Sequence, residues 1–155
     1  MLPFSNKPGD INSIRTRLLD VMWDHVGVLR TEQELQSGLV HLRSLKQELL
    51  EIGLADANRV FNLSWHDWMN LQNLLEVSEV ITRAALAREN SRGAHFREDH
   101  TDAGNLQESY FTVVKQRANE ISVNREPVIF SIVKPGESLL EDDPVQAAAG
   151  SGIKQ

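Results

Sequence analysis

The chain has no cysteine, which excludes disulfides, thiolate metal sites and cysteine nucleophiles and fits a reducing compartment. Positive charge is in deficit: 16 Lys+Arg against 22 Asp+Glu give a formal net charge of −6. That balance argues against a general affinity for nucleic acid or anionic lipid, while leaving room for a local basic patch. No apolar run approaches the ~20 residues of a membrane-spanning helix, so no direct membrane insertion is expected. The N-terminal stretch Met1-Leu2-Pro3-Phe4-Ser5-Asn6-Lys7-Pro8-Gly9 has no apolar core followed by a small-residue cleavage site and is no secretory signal. It reads as a linker beginning mid-sentence, which hints at a larger parent. Glycine-rich phosphate loops are missing too, since the scattered glycines never carry a β-like run into a helix. No serine sits in a nucleophile elbow. The five histidines, His25, His41, His66, His95 and His100, include no pair at helical metal-ligand spacing. Neither a catalytic residue, a cofactor-binding residue nor a metal ligand is expected in this chain.

What is present is helical periodicity. At 155 residues the chain suits one domain with a real core. Ile11, Ile14, Leu18, Val21, Met22 and Val26 recur at helical spacing from about Asp10, with Asp10 or Asn12 as cap and Gly27 as stop. Thr31-Glu32-Gln33-Glu34 has the form of a reciprocal capping box. It opens a second helix striped by Leu35, Leu39, Leu42, Leu45 or Lys46, Leu49 and Ile52, ending at Gly53. The third pattern starts at Ser64, with Asp67 as reciprocal partner, and runs to about Glu89. Its stripe is Trp68, Leu71, Leu75, Ser78, Thr82 and Ala85, widened by Leu74 and Ile81. Such a helix is about twice the usual ~11–12 residues and would be the spine of the fold.

After the helices the period changes. Tyr110-Phe111-Thr112-Val113-Val114-Lys115 and Ile121-Ser122-Val123 flank a polar turn at residues 117–120 and predict a hairpin. Pro127-Val128-Ile129-Phe130-Ser131-Ile132-Val133 is a third β-like run. An isolated hairpin is marginal in water, so these strands need the bundle or another chain to lean on. From Glu137 the chain is small, acidic and alanine/glycine-rich, and Glu141-Asp142-Asp143 reads as a solvated run. The expected fold is therefore mainly α: a three-helix bundle with a long third helix, then a small β-hairpin extension and a disordered C-terminal tail. The boundaries are 1–9 for the linker, 10–135 for one domain (bundle about 10–100, β extension about 108–134) and 136–155 for the tail.

The densest chemical signal is Arg88-Glu89-Asn90-Ser91-Arg92-Gly93-Ala94-His95-Phe96-Arg97-Glu98-Asp99. A helix usually stops with one glycine and one cation, and this stop carries three arginines and a histidine. With Arg83, the cluster has only Glu89 as an interspersed acid. So much guanidinium needs carboxylates, the last free carbonyls of the long helix, a phosphate or a neighbouring domain. Of the three tryptophans, Trp68 belongs to the core stripe. Trp23 lies beside its stripe and Trp65 at the head of its helix, and both suit either core packing or a partner surface.

The segment Met22-Trp23-Asp24-His25-Val26-Gly27-Val28-Leu29-Arg30-Thr31, the leucine-striped second helix and residues 70–99 ending in Ser-Arg-Gly-Ala-His-x-Arg-x-Asp together resemble a known family. That family is the C-terminal helical domain of the succinate dehydrogenase/fumarate reductase flavoprotein subunit, a domain also found in L-aspartate oxidase. The resemblance spans about residues 10 to 135. Two positions depart from it: Asn90 where the family usually has glutamate, and Thr101 where it often has proline. The resemblance implies a part in an FAD-dependent oxidoreductase of electron transport whose flavin and dicarboxylate residues lie N-terminal to this region. It places FAD in the parent flavoprotein, with no cofactor in this chain, which alone would be inactive. It names the FAD-binding domain as partner, with an iron–sulfur subunit nearby. It gives a cytoplasmic location, or a peripheral one at the inner face of the cytoplasmic membrane. On that basis Arg88, Ser91, Arg92, His95 and Arg97, positioned by Gly93, are expected to dock against a neighbouring domain. The alternative is a free-standing helical interaction module, as a solitary protein or homo-oligomer.

Overall fold

Three helices wind into a bundle and a β-hairpin leans on the last of them, in a computed structural model that describes residues 3, 4, 7–118 and 120–137. Helix α1 spans Ile11–Val26, α2 Glu32–Glu51 and α3 Leu63–Leu86. Asp10 caps α1 by accepting the N–H groups of Asn12 and Ser13 at 2.9 and 3.2 Å, and Gly27 closes it. Thr31 Oγ1 caps α2 by accepting from Glu34 N at 3.2 Å. The returning half of the expected capping box is not made, because the Glu34 carboxylate instead meets His25 Nδ1 of α1 at 2.5 Å. An interhelical contact has outcompeted a local one.

Helix α3 begins before Ser64. Its cap is Asn62, whose Oδ1 accepts from Trp65 N at 2.8 Å while its Nδ2 donates to the carbonyls of Asp56 and Asn58. Asn62 thus fastens the preceding loop and starts the helix with one side chain. The main core joins Ile14 and Leu18 of α1, Leu42, Leu45 and Leu49 of α2, and Trp68, Leu71 and Leu75 of α3. Toward the far end of α3 the interior narrows to Ser78, Thr82 and Ala85, all buried. There Gly38 lets α2 approach closely: a Cβ on it would lie 3.1 Å from His25 Cβ and 3.3 Å from Val26 Cγ2. A mid-helix glycine costs about 0.5–1 kcal/mol relative to alanine, and close packing is its return.

The segment read as a linker contacts the bundle. Lys7 and Gly9 exchange backbone bonds with Gly53, and the Phe4 ring meets Trp65 edge-on, centroids 5.2 Å apart. Strands β1, Tyr110–Arg117, and β2, Glu120–Pro127, pair antiparallel in a register that sets Val114 opposite Val123. The third β-like run is not a strand. Among the described residues, past Pro127 only Val128 N still bonds back, to Ser109 O, and residues 128–133 find no ladder partner there. Most of the expected tail, Glu141-Asp142-Asp143 included, lies outside the described residues.

Candidate functional site

An α-helix leaves its last four carbonyls without intrahelical donors. For α3 the missing donor is Arg97. Its Nη1 reaches the carbonyls of Ala85, Leu86 and Arg88 at 3.4, 3.2 and 3.3 Å. Its Nε and Nη2 donate to the two oxygens of Asp99, each at 2.7 Å, the fork geometry guanidinium favours. Asp99 Oδ2 in turn accepts the Glu32 N–H at 2.7 Å, in the first turn of α2. One ion pair therefore joins the partly negative end of α3 to the partly positive start of α2. Arg97 is only 1% exposed. Its hydrogen bonds hold the Asp99 carboxyl well below the usual carboxylate range, helped by the Glu32 N–H. The same bond raises Arg97.

The loop around this pair is fixed by Ser91 and Gly93. Arg97 N donates to Ser91 Oγ at 2.8 Å, and that hydroxyl donates onward to His100 O at 2.7 Å. Gly93, at φ 63°, supplies the left-handed residue that lets Arg92 and His95 exchange backbone bonds of 2.9 and 3.3 Å. Arg30, which sequence reasoning passed over, closes α1: its Nε donates to Val26 O at 3.1 Å and Gly27 O at 2.7 Å. Glu98 N completes the junction by donating to Arg30 O at 2.9 Å. The motif thus gathers one end of each helix into one corner.

His95 sits between Arg30 Nη1, 3.0 Å from its Nδ1, and Arg88 O, 3.3 Å from its Nε2. A guanidinium only donates and a carbonyl only accepts, so Nδ1 is the acceptor, Nε2 carries the hydrogen and the ring is neutral. Burial lowers the His95 pKa, and the charges of Arg88, Arg30 and Arg97 add to that against the opposing Arg88 carbonyl bond. The folded value therefore lies below the unfolded value of about 6.5. The resulting stability is present above about pH 6.5 and is lost as pH falls through the folded value. Urea midpoints measured between about pH 8 and pH 5 should fall on acidification, and His95→Gln should flatten that limb. An unchanged slope in the variant would remove His95 as its source.

Of the six residues expected to dock, Ser91, His95 and Arg97 are engaged in these internal bonds. Gly93 is exposed, whereas Arg88 and Arg92 are half-buried, as Ser91 and His95 are. Arg88, Asn90, Arg92 and Gly93 line a cleft of about 280 Å³ with Ser109 and Tyr110. Beside the corner, Trp23, Val28 and Leu29 are 79%, 74% and 60% exposed and border a groove with Arg30 and Ala94. Among the described residues no group of three His, Asp or Glu side chains could hold a metal ion.

The sequence profile of the family described as fumarate reductase flavoprotein C-term matches residues 15–139. The chain belongs to this family. It is 34% identical over 115 residues, 70% of this chain, to the 8-methylmenaquinol:fumarate reductase flavoprotein subunit of Wolinella succinogenes. It is 40% identical over 81 residues, 52% of this chain, to L-aspartate oxidase of Yersinia pestis. The fold superposes on Mycobacterium smegmatis Sdh1 with a TM-score of 0.67, at 30% identity, covering 82% of this chain and 22% of that one. The chain spans only 19% and 14% of the two flavoprotein relatives. The family is one of flavoproteins, and among the described residues the usual strand-to-helix seat of a dinucleotide is not formed. A dinucleotide is commonly held at a glycine-rich turn from a strand into a helix, and all three helices here precede both strands.

Proposed function

We propose that this flavoprotein C-terminal domain is a non-catalytic docking piece of an FAD-dependent oxidoreductase of the succinate dehydrogenase/fumarate reductase type. It packs against the FAD-binding domain, with an iron–sulfur subunit as a second neighbour. The observation that carries this reading is the apolar surface of Trp23, Val28 and Leu29 beside the corner. Contiguous exposed apolar groups mark interaction sites, and an amphipathic indole is a frequent interface anchor. In this reading Arg88, Arg92 and Gly93 meet the neighbour, while Ser91, His95 and Arg97 shape the loop that presents them. The assembly lies in the cytoplasm or peripherally at the inner face of the cytoplasmic membrane. No helix among the described residues is long and apolar enough to cross one.

Co-expression with the FAD-binding portion of a flavoprotein from the same genome tests the proposal. The chain alone should be colourless, and it should co-elute with the yellow partner in size-exclusion chromatography. Trp23→Glu should weaken the association by about tenfold or more, the loss typical of an interface anchor. Failure to co-elute, or a chain that binds flavin by itself, would overturn the reading.

A further inference from the structure

We infer that Arg88 and Arg92 form a receptor for one carboxylate, an aspartate or glutamate side chain presented by the domain that docks here. This rests on the docking reading above. The first argument is a count of donors. Each guanidinium carries five N–H groups and no acceptor. Arg92 has a single bond, from Nη2 to Ser109 Oγ at 2.9 Å. Arg88 has only two long contacts to Asn90 Oδ1, at 3.4 and 3.5 Å, at the limit of useful hydrogen bonding. Four other arginines meet acids, Arg15 with Asp67, Arg17 with Glu48, Arg83 with Glu79 and Arg97 with Asp99, while Arg30 and Arg125 bond carbonyls. Among the described residues neither Arg88 nor Arg92 has such a partner, and the residue between them that touches Arg88 is a neutral amide.

Shape and surroundings favour a carboxylate over other anions. The cleft mixes polar and apolar surface, and at about 280 Å³ it admits a side chain but no helix or strand. Gly93 lies on its rim, where a Cβ would have nothing within 4 Å. Tyr110 forms one wall, with Arg88 at 5.9 Å and Arg125 at 4.7 Å from its ring centroid, so a third cation raises the local potential. The end of α3 is adjacent, and its carbonyls carry partial negative charge. That end opposes a doubly charged phosphate more than a singly charged carboxylate. The main chain is held on both sides of Arg92, whose N–H donates to His95 O at 2.9 Å and whose carbonyl accepts from His95 N at 3.3 Å. The Arg92 fork is therefore anchored before any partner arrives.

The test uses the whole chain and N-acetyl-glutamate methylamide as probe, at constant ionic strength, followed by NMR of the arginine Nε–H groups. Arg88 and Arg92 should shift and saturate while Arg97 stays still, and chloride or inorganic phosphate should move them several-fold less. Asn90→Glu places a carboxylate in the cleft from within and removes no arginine. It should weaken the titration by at least about tenfold, the range of a charge-assisted bidentate contact. Arg92→Lys keeps the charge, loses the fork and should weaken it several-fold. An Arg92→Gln variant that titrates like the parent, or phosphate binding more tightly than the glutamate probe, would overturn the inference. A silent probe with co-elution intact overturns the receptor and spares the docking reading. Probe binding by a chain that never co-elutes with the flavoprotein portion overturns the docking reading and, with it, the owner assigned to the carboxylate.

Discussion

Replacing Arg97 with methionine is expected to lower the stability of the chain toward urea by about 3–5 kcal/mol, the range for removing one member of a buried ion pair. The loss has two sources. Asp99 would keep its charge without its bidentate partner, and the carbonyls of Ala85, Leu86 and Arg88 would lose their shared donor. Asp99→Asn should cost at least as much, because it leaves the almost fully buried Arg97 guanidinium with neutral acceptors only, even though the Glu32 N–H can still be accepted by an amide oxygen. The double variant should cost less than the sum of the two single changes, since a shared interaction is then removed only once. A loss below about 1 kcal/mol for Arg97→Met would show that the pair offsets only its own desolvation. In acid the sign is set by Asp99. Its folded pKa is depressed, so its stabilisation is present above about pH 3.9 and is lost as pH falls through the folded value.

Trp68→Ala at the opposite end of α3 should be about as costly, roughly 3–5 kcal/mol for an aromatic removed from a packed core. The ring is 3% exposed within the cluster joining all three helices, and its Nε1 donates to Leu49 O at 3.1 Å. That bond ties the head of α3 to the last turn of α2. Trp68→Phe keeps most of the apolar contact and gives up the bond, so roughly 1–3 kcal/mol should go. Circular dichroism under urea measures both variants without relying on indole emission. Equal losses for phenylalanine and alanine would mean that the hydrogen bond dominates the packing.

Periodicity made the interior legible from the sequence. The stripe Trp68, Leu71, Leu75, Ser78, Thr82 and Ala85 is the buried face of α3, joined by Glu79. A glutamate is not read as core, and Glu79 is buried because Arg83 and Lys46 reach its two oxygens, the second of them from α2. The start of α3 was misplaced by residue type alone. Asn62 and Ser64 are both good caps, and only the folded loop, with the Asp56 and Asn58 carbonyls at hand, selects Asn62. The run from Pro127 is β-like in composition but finds no ladder among the described residues, and no sequence pattern supplies a missing neighbour.

At the corner, the motif does not say which of its residues turn inward. Arginine is rarely buried unless paired, and the pairing here depends on Asp99 folding back only two residues away. The notion that guanidinium would satisfy the last carbonyls of the long helix proved right for Arg97. Arg30 does the same for α1, and its signal, a cation three residues past a helix-stopping glycine, was there to be seen.

Because Arg97, Ser91 and His95 have their hydrogen bonds filled from inside the chain, the loop they shape is rigid in the unassociated protein. Under the docking proposed above, this side of the contact would arrive finished, with little backbone freedom to surrender. The entropy of ordering that loop is spent during folding and would not recur in such an assembly.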